Sequence, residues 1–344
     1  MATGRREITR AQVLAHRRAA GALDERLPHT ADSLRRAAWA GLQDSMPRAA
    51  LLSIHARVEH TEPAELDDPS LVQLWGPRFS AYVVASADRG IFTLGRLPDD
   101  VTGRRRAEET AARLEEFLAG RTMTYGEAGR ALGIHPNALR YAAPTGRVLI
   151  RWDGARQPLV WSVPPPAIEP REARIELARR FLHLLGPSTA DAFAEWAGVR
   201  TPRARVAFDA LVGSLTPVRT PAGDAWILSE DEPLFRAPSG TPAAARLLPS
   251  GDTYFLLQGA DRELLVPDAA RRRELWPTRV WPGAVLVGGE IVGTWRRAGA
   301  TVDVRAWRRL SARERHAVEA EAAGMPLPDL RGRIRVRWEN AAAG

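Results

Sequence analysis

Cysteine and lysine are both missing from the 344 residues. Without cysteine the chain has no disulfide, no thiolate metal site and no thiol nucleophile. Without lysine, all 49 basic residues are arginine, a planar and permanently charged fork suited to phosphate. No run approaches the ~20 apolar residues of a membrane span, and MATGRREITRAQVLAHRR at the N-terminus has no apolar core behind its charges. Neither a membrane segment nor a secretory signal is therefore expected, and a cytoplasmic location is the default. A glycine-rich phosphate loop, a serine elbow and a paired-carboxylate motif are also lacking. The seven histidines, at 16, 29, 55, 60, 135, 183 and 316, fall in no metal-ligand spacing with a carboxylate, so no metal and no cofactor is expected.

What is present is a basic excess: 49 cations against 41 carboxylates give a formal net charge of +8. That balance favours a polyanionic partner without proving one. The length fits roughly two or three domains.

The expected class is α+β. Helices are expected over 8–20, capped by Thr9, over 31–42 and over 47–58, with another begun by Asp68-Pro69 and a short one from Asp88; RFSAYVV, 78–84, reads as a strand. A unit then repeats. A charged helix over 104–120 precedes MTYGEAGRALGIHPNALRYAA, 123–143, which reads as helix, turn, helix: Thr124 caps, Gly133 ends the first helix and Pro136 opens the second. Residues 146–163 read as a hairpin around Asp153-Gly154. The same order returns about 65 residues on: a helix over 171–185, a helix-turn-helix over 188–213 capped by Ser188 or Thr189 and broken at Gly198, then a hairpin over 215–228 turning through Pro221, Ala222 and Gly223. Helix-turn-helix followed by a two-stranded hairpin is the order of a winged helix, whose second helix approaches the major groove while the wing tracks the backbone.

The expected architecture is therefore tandem winged helices ahead of a C-terminal β-rich, barrel-like domain. The divisions are 1–100, a degenerate first module; 101–167; 168–232; and 240–344, after a linker over 230–240. In the last part Gly288-Gly289 makes a tight hairpin, 311–323 a helix, and RGRIRVRWEN an edge strand with Arg331, Arg333, Arg335 and Arg337 on one face. That arginine face reads more simply as a charged edge than as a binding surface. From the modules, the candidate DNA-binding residues are Asn137, Arg140, Arg203 and Arg205 on the recognition helices and Arg147, Arg151 and Arg156 on the wing. Arg57 and Arg78 are added from the first domain, where WGPR, 75–78, turns Arg78 into whatever that domain encloses.

One polar trio stands out, Gln43-Asp44-Ser45 in GLQDSMPRAALLSIHAR. Asp44 or Ser45 can cap the helix that opens at Pro47. Capping leaves Gln43 unexplained, and in extended backbone Gln43 and Ser45 share a face.

GLQDSMPRAALLSIHAR, LVQLWGPR, GPSTADAFAEWAGV and LLPSGDTYFLLQGADRELLV…GGEIVGTWRR together resemble the winged-helix DNA glycosylases, over roughly residues 8–310. That family removes N-alkylated purines and unhooks interstrand crosslinks, and also carries the wider label winged helix DNA-binding domain-containing protein. The resemblance implies a C-shaped array of three winged helices with a β-domain around a basic cleft sized for duplex DNA. It also implies a Gln-x-Gln or Gln-x-Asp motif in the first domain, which Gln43 matches and Ser45 does not; Tyr82 stands near the point where the family has a histidine. Under this reading Gln43 orients water, Ser45 assists, and Asp44 takes part only if the backbone turns it into the site. The expected protein is a monomeric glycosylase acting on alkylated or crosslinked double-stranded DNA. The other readings are a non-catalytic winged-helix regulator or lesion-binding protein, and a scaffold with no DNA role.

Overall fold

The computed structural model describes residues 5–152, 154, 156–236, 240–327 and 333–339. Strand β1 (Arg6–Glu7) and helix α1 (Arg10–Ala20) come first, and Thr9 caps α1 in a reciprocal capping box with Gln12. One order of elements then recurs: a helix, a very short strand, further helix, and a hairpin. Its first occurrence is α2 (Ala31–Ala37), β2 (Leu42–Gln43), α3 (Ala49–His55), β3 (Leu71–Trp75) and β4 (Ala81–Ala85). Helix α4 (Arg89–Thr93) leads to the second, which is α5 (Val101–Leu118), β5 (Met123–Thr124), α6 (Tyr125–Ala131), a 3₁₀ stretch over Pro136–Thr145, β6 (Val148–Arg151) and β7 (Leu159–Ser162). The sheets have the same order, β2-β4-β3 and β5-β7-β6, so the short strand always pairs with the last strand of the hairpin.

The third occurrence is α7 (Pro170–Leu185), α8 (Ala190–Ala197), α9 (Thr201–Leu211), β8 (Leu215–Thr220) and β9 (Gly223–Leu228). Here the short strand is reduced to a single bridge, Ser188 to Trp226 on β9, and β1 adds in parallel to the far edge at β8. Gly133 (φ +67) and Gly198 (φ +69) both end their helices in the left-handed conformation, where a side chain is disfavoured.

Several local expectations are corrected. Asp68-Pro69 starts no helix; the turn lies earlier, over Pro63–Asp67, and LVQLW after it is strand β3. Pro63 is preset for a first helical turn, and Glu62 and Glu65 close a capping box across it. The second helix of the 123–143 motif is 3₁₀ rather than α, with Pro144, which has no N–H to give, inside it. Only the second half of RFSAYVV is strand, because Arg78 (φ 54) and Phe79 (φ 57) are left-handed. Asp153 and Arg331 lie outside the described residues.

After α10 (Glu232–Arg236), the C-terminal part consists of β10 (Ala245–Leu248), α11 (Asp261–Leu265), α12 (Ala269–Leu275), β11 (Gly283–Val287), β12 (Glu290–Ala298), β13 (Thr301–Ala306), α13 (Ala312–Ala323) and β14 (Arg335–Glu339). The strands form a sheet in sequence order, β10 to β14. Among the described residues it is an open β-rich sheet that does not close into a barrel. β14 arrives through α13 and adds in parallel to β13, so it does not return to β10. Val318 and Ala322 of α13 fill the core of this sheet with Val285, Trp295 and Val304, and Leu52 of α3 joins them.

The units are not independent beads. One buried cluster runs through Tyr82, Phe92, Leu149, Phe181, Phe193, Trp196, Phe255 and Leu286. Polar ties reinforce it: Arg57 forks onto Asp252 at 2.7 and 2.8 Å, and Thr253 Oγ1 donates to Gly41 O at 2.8 Å. These last contacts seat the turn before Thr253 directly against β2.

Candidate active site

Gln43 ends β2, opposite Tyr82 on β4, and the Asp44 N–H continues the ladder to Ala81 O at 2.7 Å. The backbone is extended here, so successive side chains leave on opposite sides. Gln43 and Ser45 take one side, where Gln43 Nε2 donates to Ser45 Oγ at 3.2 Å. Asp44 takes the other and is 2% exposed. Its Oδ1 accepts from Ala50 N at 3.0 Å and its Oδ2 from Gln73 Nε2 at 2.6 Å. Asp44 therefore does serve α3, but from six residues upstream of the N–H it binds; the cap position is Arg48, left-handed (φ 65), with no side-chain cap bond. The backbone turns Asp44 away from the open side, which corrects its expected place among groups that could meet substrate. Burial pushes its carboxyl up to about 6, against the opposing bonds from Ala50 and Gln73.

Gln43 presents its amide in one sense. Arg78 Nη2 donates to Gln43 Oε1 at 3.3 Å, with Tyr82 Oη at 3.5 Å from the same oxygen. A guanidinium has no acceptor, so the carbonyl must face it and the NH2 must face Ser45. Gly251 packs behind, with the Gln43 side chain 3.2 Å from where a Cβ would stand.

The segment carrying Arg78 is pinned from below. Arg78 Nη1 donates to Trp196 O at 3.3 Å, and Gly198 lies so close that a Cβ would come within 2.9 Å of Arg78 N. Arg96, deep in the interior, donates to Ala197 O at 3.0 Å and Trp75 O at 3.3 Å and stacks on Phe79. Burial lowers its pKa to about 10, with a further push from Arg78.

Beside this lies a cleft of ≈ 590 Å³ whose lining includes Ser45, Arg78, Arg140, Arg156, Phe79, Trp152 and Gln157. Among the described residues, no carboxylate lines it. Four residues singled out in the sequence thus meet in one place.

Residues 34–326 match the family DNA glycosylase AlkZ-like. The chain belongs to the AlkZ-like DNA glycosylases. Its fold is similar to that of the DNA glycosylase AlkZ of Streptomyces sahachiroi, with a TM-score of 0.76 and 19% identity over 97% of this chain and 100% of that one. No curated protein matches the chain.

The other expected DNA contacts of this AlkZ-like protein lie elsewhere. Arg57 is the clearest correction: at 4% exposure it is a core cation, engaged by Asp252 and Ser53 O. Arg147 is paired with Glu115, and Arg151 with Asp67. Arg203 meets Asp99 at 2.9 Å and Asp100 at 3.1 Å, just ahead of α5. Arg205 is exposed and pairs with Asp191 at 3.3 Å, and Asn137 is exposed at the start of the 3₁₀ stretch. None of these six lines the cleft. Among the described residues, no group of three or more His, Asp or Glu is placed to hold a metal ion.

Gln73 is the residue that sequence reasoning missed. Its amide joins Asp44 to the backbone of Trp152, taking the Trp152 N–H on its oxygen and giving to Trp152 O at 3.3 Å. It thereby couples the site strand to the hairpin of the second unit. The available signal was a lone amide within the apolar run LVQLW.

Proposed function

We propose that this AlkZ-like chain is a monofunctional glycosylase that binds duplex DNA and hydrolyses the N-glycosidic bond of N-alkylated purines, including those that form interstrand crosslinks. The observation that carries the reading is the meeting of Ser45, Arg78, Arg140 and Arg156 in one cleft, with the Gln43 amide held at its edge. The recurrent order of helix, short strand, helix and hairpin supports winged-helix modules at 1–100, 101–167 and 168–232, followed by a β-rich unit over 240–344.

The chemistry asks little of a general acid. An N7- or N3-alkylated purine is already cationic and departs as a neutral base, so the protein's task is to place a water against the sugar carbon as positive charge develops there. Gln43 Nε2 donates a hydrogen bond to Ser45 Oγ, which leaves that oxygen a second lone pair to accept one from water. The arginines clamp flanking phosphates. Ser45 and the Gln43 amide orient the water rather than deprotonate it in the ground state, and no carboxylate lines the cleft among the described residues.

One observation favours the non-catalytic alternative: the Gln43 carbonyl is already approached by Arg78 and Tyr82, which limits its capacity to accept from water. Incubation with duplex DNA carrying 7-methylguanine separates the two. Release of free 7-methylguanine with an abasic site supports the glycosylase; tight, salt-sensitive binding without release supports the alternative.

A further inference from the structure

The segment that carries Gln43 and Ser45 is also the wall of a second pocket. Ser45 lines the arginine cleft, whereas Met46 and Pro47, the next two residues, line a separate pocket of ≈ 280 Å³. Across from them stand Ser250, adjoining the Gly251 that backs Gln43, and two indoles, Trp281 and Trp295. Consecutive Cα atoms are about 3.8 Å apart, so the pocket begins within one residue of the site.

Its walls are preorganised. Trp295 is 5% exposed, donates from Nε1 to Leu248 O at 2.8 Å, and lies on Gly283, where a Cβ would stand 2.3 Å from the ring. Trp281 is half-buried beneath Arg262, whose guanidinium sits 5.3 Å from the Trp281 ring centre and 5.0 Å from that of Trp276. Leu52 and Ala49 complete an apolar interior, and Arg296 and Arg297 lie at the rim. Arg296 donates to Val280 O at 2.8 Å, next to Trp281.

We propose that this pocket is a binding subsite for a planar aromatic group carried by the alkylated purine. Rigid indoles favour a flat aromatic face. An apolar cavity of roughly 150 Å³ takes up benzene, so this one has room for a ring or a fused pair. The cationic rim favours an occupant that arrives attached to a polyanion rather than free. The lesion's purine lies in the arginine cleft and its appendage crosses the 45–47 segment into the indole pocket, so bulky aromatic adducts are bound better than methylated ones.

This inference rests on the glycosylase reading for its substrate class, and the test reads binding and excision separately. The probes are duplexes carrying one N7-benzylguanine or one N7-methylguanine, with Kd taken from fluorescence anisotropy and base release followed on the same samples. Wild type is expected to bind the benzyl duplex about threefold to tenfold tighter. Trp281→Ala is expected to remove that preference while leaving its affinity for the methyl duplex unchanged. If Trp281→Ala lowers the melting temperature, Trp281→Phe is read instead, and a reduced preference supports the subsite. Equal wild-type affinities, or a preference that survives substitution of Trp281, overturns it. Excision without preference sinks the subsite alone, preference without excision sinks the glycosylase reading alone, and binding to neither duplex sinks both.

Discussion

Gln43 and Asp44 are neighbours with opposite environments, and each supports its own prediction. Gln43 lies where its amide meets Arg78, Tyr82 and Ser45. Gln43→Ala is expected to slow single-turnover base release by about a hundredfold, in the range seen for loss of a group that positions a proton or charge. Asp44 has a folded-state pKa raised from 3.8 to about 6, with burial as the main cause. A raised carboxyl contributes stability that is complete below the unfolded pKa and is lost as pH rises through the folded one. The stability of wild type relative to Asp44→Asn should therefore fall between about pH 4 and pH 6 and then level off, by no more than about 3 kcal/mol. Urea denaturation of both proteins across that range measures it, and a flat difference would remove the inferred perturbation.

At the scale of elements, the decisive features are close approaches. Gly198 ends α8 in the left-handed conformation with Arg78 against its open face. Gly198→Ala is expected to cost about 1–2 kcal/mol from the backbone conformation alone, and more if Arg78 is displaced, with a parallel loss of base release. Equal stability and activity in the variant would show that Gly198 does not support the Arg78 segment. The hairpin over 215–228 was legible because Pro221, Ala222 and Gly223 mark its turn between strand-like runs. The short strands β1, β2 and β5 were not, since two residues carry no period and their pairing is set by distant partners. The shared face of Gln43 and Ser45 followed from alternation. The bond from Gln73 to Asp44, between residues 29 apart, did not.

The whole molecule explains why charge alone misled for some arginines. Arg57 reads as a surface cation in SIHAR, yet its partner Asp252 is 195 residues away and 1% exposed. Removing one member of a buried pair leaves the other unmatched, so Arg57→Ala is expected to lower unfolding free energy by about 3–5 kcal/mol. Arg57→Met is expected to cost less only when Asp252→Leu accompanies it. Chemical denaturation of the single and double variants checks this. Arg78, Arg140 and Arg156, which line the cleft, set the expected response to salt. Each neutralised phosphate contributes about −0.9 to the slope of log K against log salt, so replacing Arg78, Arg140 and Arg156 together should make that slope shallower by roughly 2 to 3.

The central claim is that the amide at Gln43, with Ser45 beside it, places the water that releases an alkylated base. Single-turnover release of 7-methylguanine from duplex DNA, compared between wild type and Gln43→Ala at equal DNA occupancy, addresses it most directly. Wild type is expected to release the base, and the variant to do so about a hundredfold more slowly with binding intact. Equal rates in the two proteins would contradict it.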